Sequence, residues 1–105
     1  MELKDKKCVP CEGGTPPLGM EQVKEYLASL KGWRLEDNKI KKMFRFVNFR
    51  QTLDFVNKVG EIAEKEGHHP DLHVSYGYCE VILQTHAING LSENDFILAA
   101  KIDEI

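Results

Sequence analysis

Hydrophobic and polar positions recur along this chain with two different periods, and the changes of period mark its elements. Val23, Tyr26, Leu27 and Leu30 fall at helical spacing and predict a helix over residues 19–31, with Gly32 as its stop. The period then shortens. Ile40, Phe44 and Phe46 share one parity, with Lys42 between them, and Lys41 and Arg45 take the other face, which predicts two strands around a turn at Glu36–Lys39. Asn48 can cap a second helix, with Gln51 placed to close a capping box and Leu53, Val56, Val59 and Ile62 as its buried stripe up to Gly67. Alternation returns after it. Leu72, Val74 and Tyr76 face one way and His73 and Ser75 the other, Gly77 marks a tight turn, and a further strand is expected from Tyr78 to His86. Ser92 and Asp95 open a last helix, stapled by Leu91 and Phe96 and continued by Leu98, Ile102 and Ile105.

The order α-β-β-α-β-β-α, with strands in adjacent pairs, predicts an α+β fold: a four-stranded antiparallel sheet with three helices on one face. Residues 1–17 are polar, end in "GGTPP", and read as an extended leader to a single domain over 18–105.

Composition narrows the function. A chain of 105 residues makes one domain. Its formal charge of −3 argues against a nucleic-acid partner bound through a basic face. Lys39, Lys41, Lys42 and Arg45 read instead as protection for a strand edge. No apolar run approaches the ~20 residues that cross a bilayer, and no apolar stretch near the start resembles a signal peptide, so no membrane partner and a cytoplasmic location are expected. Cys8 and Cys11 form a C-x-x-C, but no second pair completes a zinc set, and a Gly- and Pro-rich leader is not the strand–helix junction of a redox pair. An incidental pair is the leading reading, ahead of a metal shared with a distant ligand and of redox chemistry. Cys79 lies in an apolar run and reads as core.

The candidate chemistry is concentrated in one place, because all four histidines lie between residues 68 and 86. His68 and His69 follow a helix end, and Pro70 holds His69 extended. Pairing the last two strands about Gly77 sets residue 68 opposite residue 86, so three imidazoles should converge at one end of the sheet. Surface histidines, a three-histidine metal site and metal-free acid–base catalysis are the three readings. Adjacent side chains on an extended backbone diverge, which weighs against metal, and imidazole both takes and gives protons near neutrality. Glu64 and Asp95 are placed to orient the rings, and Asp95 also to cap its helix. His73 reads as exposed and outside the site.

Glu64, His68-His69-Pro70, Tyr76, His86 and Asp95 fall in the pattern E-x3-H-H-P-x5-Y-x9-H-x8-D, which resembles the signature of the pterin-4a-carbinolamine dehydratases. "GW" at 32–33, "FRFVNFRQTLDFVNKVGEIAE" and "GLSENDF" resemble the same family, over residues 18–105. The resemblance implies the four-stranded fold and the dehydration of a 4a-hydroxytetrahydropterin to the quinonoid dihydropterin, in pterin recycling, with no metal or organic cofactor. It implies His68, His69 and His86 as catalytic residues, His69 and His86 as the main acid–base pair and His68 chiefly as a positioning group. Glu64, Pro70, Tyr76, Thr85 and Asp95 become substrate-site residues, with Thr85 and the residues past His86 offering backbone groups. It further implies a homodimer or homotetramer and, by analogy with some animal members, a transcription-factor partner. A dimerisation or regulatory protein with secondary or no activity is the alternative. Gly67 departs from relatives that carry an acidic residue there, which leaves Asp95 as the orienting carboxylate.

Overall fold

The computed structural model describes residues 2–9 and 16–105. After a short 3₁₀ turn at Leu3–Asp5 come helix α1 (Met20–Ala28), strands β1 (Arg34–Glu36) and β2 (Lys39–Arg45), and helix α2 (Phe49–Glu66). Strands β3 (Asp71–Ser75) and β4 (Tyr78–Leu83), a 3₁₀ turn at His86–Ile88 and helix α3 (Glu93–Asp103) complete the chain. The strands form one antiparallel sheet in the order β1-β2-β4-β3. The α-β-β-α-β-β-α architecture read from the sequence is the one the chain adopts.

One core lies under one face of the sheet. Ile40, Cys79, Val81 and Leu83 point into it from the inner strands, and Val23, Phe55, Val59, Phe96, Leu98 and Ile102 meet them from the three helices. Lys42 keeps the inward parity that the sequence assigned to it. Its ammonium reaches Asp103 Oδ1 at 2.8 Å and the Lys31 carbonyl at 2.9 Å, so its stem lies along apolar surface while its charge is paired. The Asp103 carboxylate also accepts from Trp33 Nε1 at 3.0 Å, tying the end of α3 to the start of the sheet.

Several boundaries differ from the expectations. Helix α1 ends at Ala28, and Gly32 serves instead as the positive-φ hinge into β1. In α2 the buried residues are Thr52, Phe55, Val59 and Ala63; Leu53 is exposed, and Val56 and Ile62 only flank the core. The hydrophobic stripe is therefore rotated by about one position, because Thr52 can enter the core once its hydroxyl donates to the Asn48 and Tyr76 carbonyls. Asn48 caps α2 by accepting from Gln51 N–H, but the Gln51 side chain accepts from Val47 N–H, one residue beyond a simple capping box. The lysines of β2 guard no edge, since β2 is an inner strand and the edges are β1 and β3. The first residues are not a detached leader: Lys4 and Lys6 pair with Glu104 and Glu93, and Cys8 is buried against α3. The apolar side of α3 is used within the chain, with Phe96, Leu98 and Ile102 buried and Ile105 alone of that set exposed. No helix among the described residues is long and apolar enough to cross a membrane.

Candidate functional site

The histidines are placed by two chain reversals. Gly67 ends α2 in the left-handed region, φ 68°, with its N–H and that of His68 both donating to the Ala63 carbonyl. A side chain at residue 67 would find open space but a strained backbone, so the turn rather than crowding calls for glycine there. The chain leaves that turn as His68-His69-Pro70 and enters β3.

The second reversal follows β4, and here the structure corrects the sequence reading. The strand stops at Leu83, not His86. Thr85 and Gly90 then pair backbone to backbone, and His86 opens the 3₁₀ turn they enclose. Register differs as well. Ser75 faces Tyr78 and Asp71 faces Ile82, so Tyr76-Gly77 is a two-residue turn and the pairing is shifted by one from the expected frame. Residue 68 therefore never lies opposite residue 86 on a ladder. The imidazoles still come together: His68, His69 and His86 line one cleft of about 380 Å3 with Gly67, Gln84, Thr85, Ala87, Asn94 and Val9. That volume is within the ~300–1,000 Å3 of small-molecule sites.

Each ring has its own surroundings. His68 is largely buried, and its Nε2 lies 2.6 Å from Oδ1 of Asp95, which is wholly buried. The other oxygen of Asp95 accepts from Thr85 Oγ1 at 2.8 Å and from Ser92 N–H at 3.0 Å. One carboxylate thus caps α3 and fixes an imidazole at once. His69 donates from Nε2 to Glu64, but ring and carboxylate both stand in solvent. His86 is exposed; Gln84 Nε2 donates to its Nδ1 at 2.8 Å, and Asp71 stands 4.0 Å from its Nε2. The Gln84 amide can serve either protonation state, its nitrogen donating to a bare Nδ1 and its oxygen accepting from a protonated one.

The remaining site residues fall on both sides of this cleft. Thr85 lines it, but its hydroxyl faces Asp95 and Ser92, and its backbone N–H and carbonyl are paired with Gly90. Tyr76 sits in the β3–β4 turn, at the opposite end of the hairpin, with an exposed side chain. Pro70 is half-buried between the histidines and β3. His73 is exposed beside the Tyr78 ring. Gln84 and Asn94 were not singled out in the sequence, although Asn94 lies within "GLSENDF"; the turn after β4 and the first turn of α3 bring them to the cleft. Among the described residues no group of three His, Cys, Asp or Glu side chains is placed to hold a metal ion. Cys11 lies outside the described residues, and burial pushes the Cys8 thiol up to about 12, so Cys8 is an inert anchor.

A larger concavity, about 890 Å3, lies between the N-terminal 3₁₀ turn, α1 and the end of α3. Two ion pairs, Lys4 with Glu104 and Lys42 with Asp103, lie in its lining, and no imidazole reaches it. Chemistry therefore selects the smaller cleft.

Known proteins resemble this chain along most of its length. The sequence pattern of the family described as Pterin 4 alpha carbinolamine dehydratase matches residues 16–105. Proteins of Methylococcus capsulatus and Nitrosomonas europaea, provisionally named pterin-4-alpha-carbinolamine dehydratases, are each 54% identical to this chain; the matches cover 98% and 97% of it and 92% and 91% of those proteins. A crystal structure of a transcriptional coactivator/pterin dehydratase from Brucella melitensis superposes with a TM-score of 0.80 at 32% identity, over 84% of this chain and 96% of that one. A pterin dehydratase-like protein described as a RuBisCO assembly factor in the alpha-carboxysome shares the fold, with a TM-score of 0.58 at 23% identity over 69% and 83% of the two chains.

Proposed function

The chain belongs to the pterin 4 alpha carbinolamine dehydratase family, and we propose that it dehydrates a 4a-hydroxytetrahydropterin by histidine acid–base catalysis, in the recycling of a pterin cofactor. The observation that carries this reading is the shared cleft of His68, His69 and His86, with one ring fixed and two free to exchange protons with water.

The reaction requires two proton movements. The hydroxyl on C4a leaves as water when an imidazolium protonates it. The N5 proton passes to a neutral imidazole, and the N5–H electron pair forms the C4a=N5 bond as the C4a–O bond breaks. One ring ends with a proton gained and the other with a proton lost, and exchange with solvent restores both. His69 and His86, both exposed, suit these exchanges. His68, held by the buried Asp95, suits positioning of the substrate. Glu64 orients His69, and Thr85 acts through Asp95 rather than on the pterin itself.

The test is a rapid assay of chemically prepared 4a-hydroxytetrahydropterin with the parent protein and with His69→Ala and His86→Ala. The parent should speed dehydration well above the spontaneous rate. Each variant should lose ~10²–10⁴-fold in kcat, the usual contribution of a general acid or base, while keeping the parent's circular dichroism. Variants that work at the parent rate would remove the acid–base assignment.

A further inference from the structure

The described residues 2–9 of the leader supply none of the proposed catalytic groups, yet Val9 lines the cleft. Cys8 is buried, its N–H donates to Glu66 Oε1 at 2.9 Å, and its thiol lies 3.7 Å from the Asn94 carbonyl. Val9 is bound on both sides by one side chain: its N–H donates to Asn94 Oδ1 at 3.0 Å, and its carbonyl accepts from Asn94 Nδ2. Asn94 directly precedes Asp95, so the same turn of α3 fixes the leader and His68. Val9, 63% exposed, is thereby held in the lining of the cleft.

The cleft has a need that this group meets. Its other described lining residues are Gly67, His68, His69, Gln84, Thr85, His86, Ala87 and Asn94, which are polar or very small. A pterin is a flat heterocycle with two weakly polar faces, and small-molecule sites take such faces against apolar side chains. Val9 is the one sizeable aliphatic side chain in that described lining.

We propose that Val9 is an apolar wall of the substrate site that packs on the pterin, and that Glu66 and Asn94 position it by fixing the Cys8–Val9 backbone. This rests on the pterin reading above and assigns the Cys8–Val9 segment to the site. Glu66 is a positioning residue only, since it reaches the cleft through Cys8. A wall that contacts substrate and transition state alike lowers KM without changing kcat.

The test measures binding and turnover separately. Binding of 7,8-dihydrobiopterin, a reduced pterin with no hydroxyl to lose, is measured by calorimetry, and kcat and KM are measured with the 4a-hydroxytetrahydropterin. Val9→Ala removes two carbons and should weaken binding and raise KM by about three- to tenfold, with kcat within about twofold of the parent. Glu66→Ala should shift both in the same direction. Glu66→Gln, which keeps an oxygen for the Cys8 N–H, should restore them to within about twofold, a rescue that a charge effect through Lys101 would not give. Val9→Ala that binds and turns over as the parent does overturns the wall and leaves the dehydration standing. A parent that binds dihydrobiopterin without dehydrating its substrate removes the proposed reaction, and calorimetry on the variants still decides the wall. A parent that binds no pterin overturns the wall outright.

Discussion

His68 and His69 are neighbours in sequence, each with a carboxylate at Nε2, and the two pairs differ in nearly everything else. The His68 side chain is 12% exposed and Asp95 is 0% exposed; the His69 and Glu64 side chains are 60% and 78% exposed. The divergence begins in the backbone. Gly67 turns the chain out of α2, so that successive side chains on the extended segment point to opposite sides, one under α3 and one into solvent. In the buried pair water is largely excluded, so His68 Nε2 depends on Asp95, and Asp95 depends on His68, Thr85 and Ser92. In the exposed pair water can replace either partner at little cost. The same two functional groups therefore form a structural clamp in one place and, in the proposed reaction, a proton carrier with an adjustable neighbour in the other.

The largest way to break that contrast is Asp95→Ala. It would strip the partner from His68 Nε2, from Thr85 Oγ1 and from Ser92 N–H together, all at a buried point. Stability should fall by ~3–5 kcal/mol, the usual cost of removing one member of a buried pair, read from the shift in urea midpoint at unchanged slope. A loss under about 1 kcal/mol would mean that water reaches this carboxylate in solution, and the division between clamp and carrier would fail.

Sequence reading reached the clamp only in outline, and the reasons are local. The helix-start signal at Ser92 and Asp95 was legible, because capping depends on a spacing of three residues. That the same carboxylate also holds His68 was open to proposal but not to derivation, since it depends on where α2 ends in space relative to α3. Convergence of the three histidines was legible although the register behind it was not. Gly77 marked the hairpin, but whether one residue or two form the turn depends on Tyr76, whose carbonyl is taken by Thr52 of α2. The two-residue turn at Asp37-Asn38 was easier to place, since both residues tolerate the positive φ they adopt there. The docking of the leader was invisible. It relies on Glu66 and Asn94, one at the end of a helix and one near the start of another, and nothing in their local sequence distinguishes them from solvated surface residues.

A third carboxylate lies between the two extremes and tests whether burial sets the scale. The Glu93 side chain is 40% exposed and accepts from Lys6 Nζ at 2.9 Å and Tyr26 Oη at 2.7 Å. Lys6, and then the Tyr26 hydroxyl, hold its carboxyl below the ordinary value of 4.5. Because the folded-state value is the depressed one, the stabilisation is complete above that ordinary value and is lost as pH falls through the folded value. Glu93→Gln should therefore be less stable than the parent at neutral pH, by about 0.5 kcal/mol for a pair this exposed, and the gap in urea midpoint should close below pH 4.5. A gap that stays constant down to pH 3 would assign the loss to packing rather than to charge.

The smallest effect belongs to Glu64→Gln. With both partners in solvent, the Coulomb gain of the His69–Glu64 pair is set against the cost of holding two side chains in one arrangement. The amide oxygen of glutamine can still accept from His69 Nε2, so the ring keeps an orienting neighbour. Stability should change by less than ~0.5 kcal/mol at low salt, and the difference should disappear in 1 M NaCl, where the screening length is only ~3 Å. Turnover should stay within about threefold of the parent, since orientation survives and only a screened charge is lost. A destabilisation above ~1.5 kcal/mol that persists in high salt cannot come from a solvated pair. It would place Glu64 under cover in solution. Light scattering on the parent and the variant would test whether a second copy of the chain supplies that cover, and His69 would then be a ring held in place, as His68 is by Asp95.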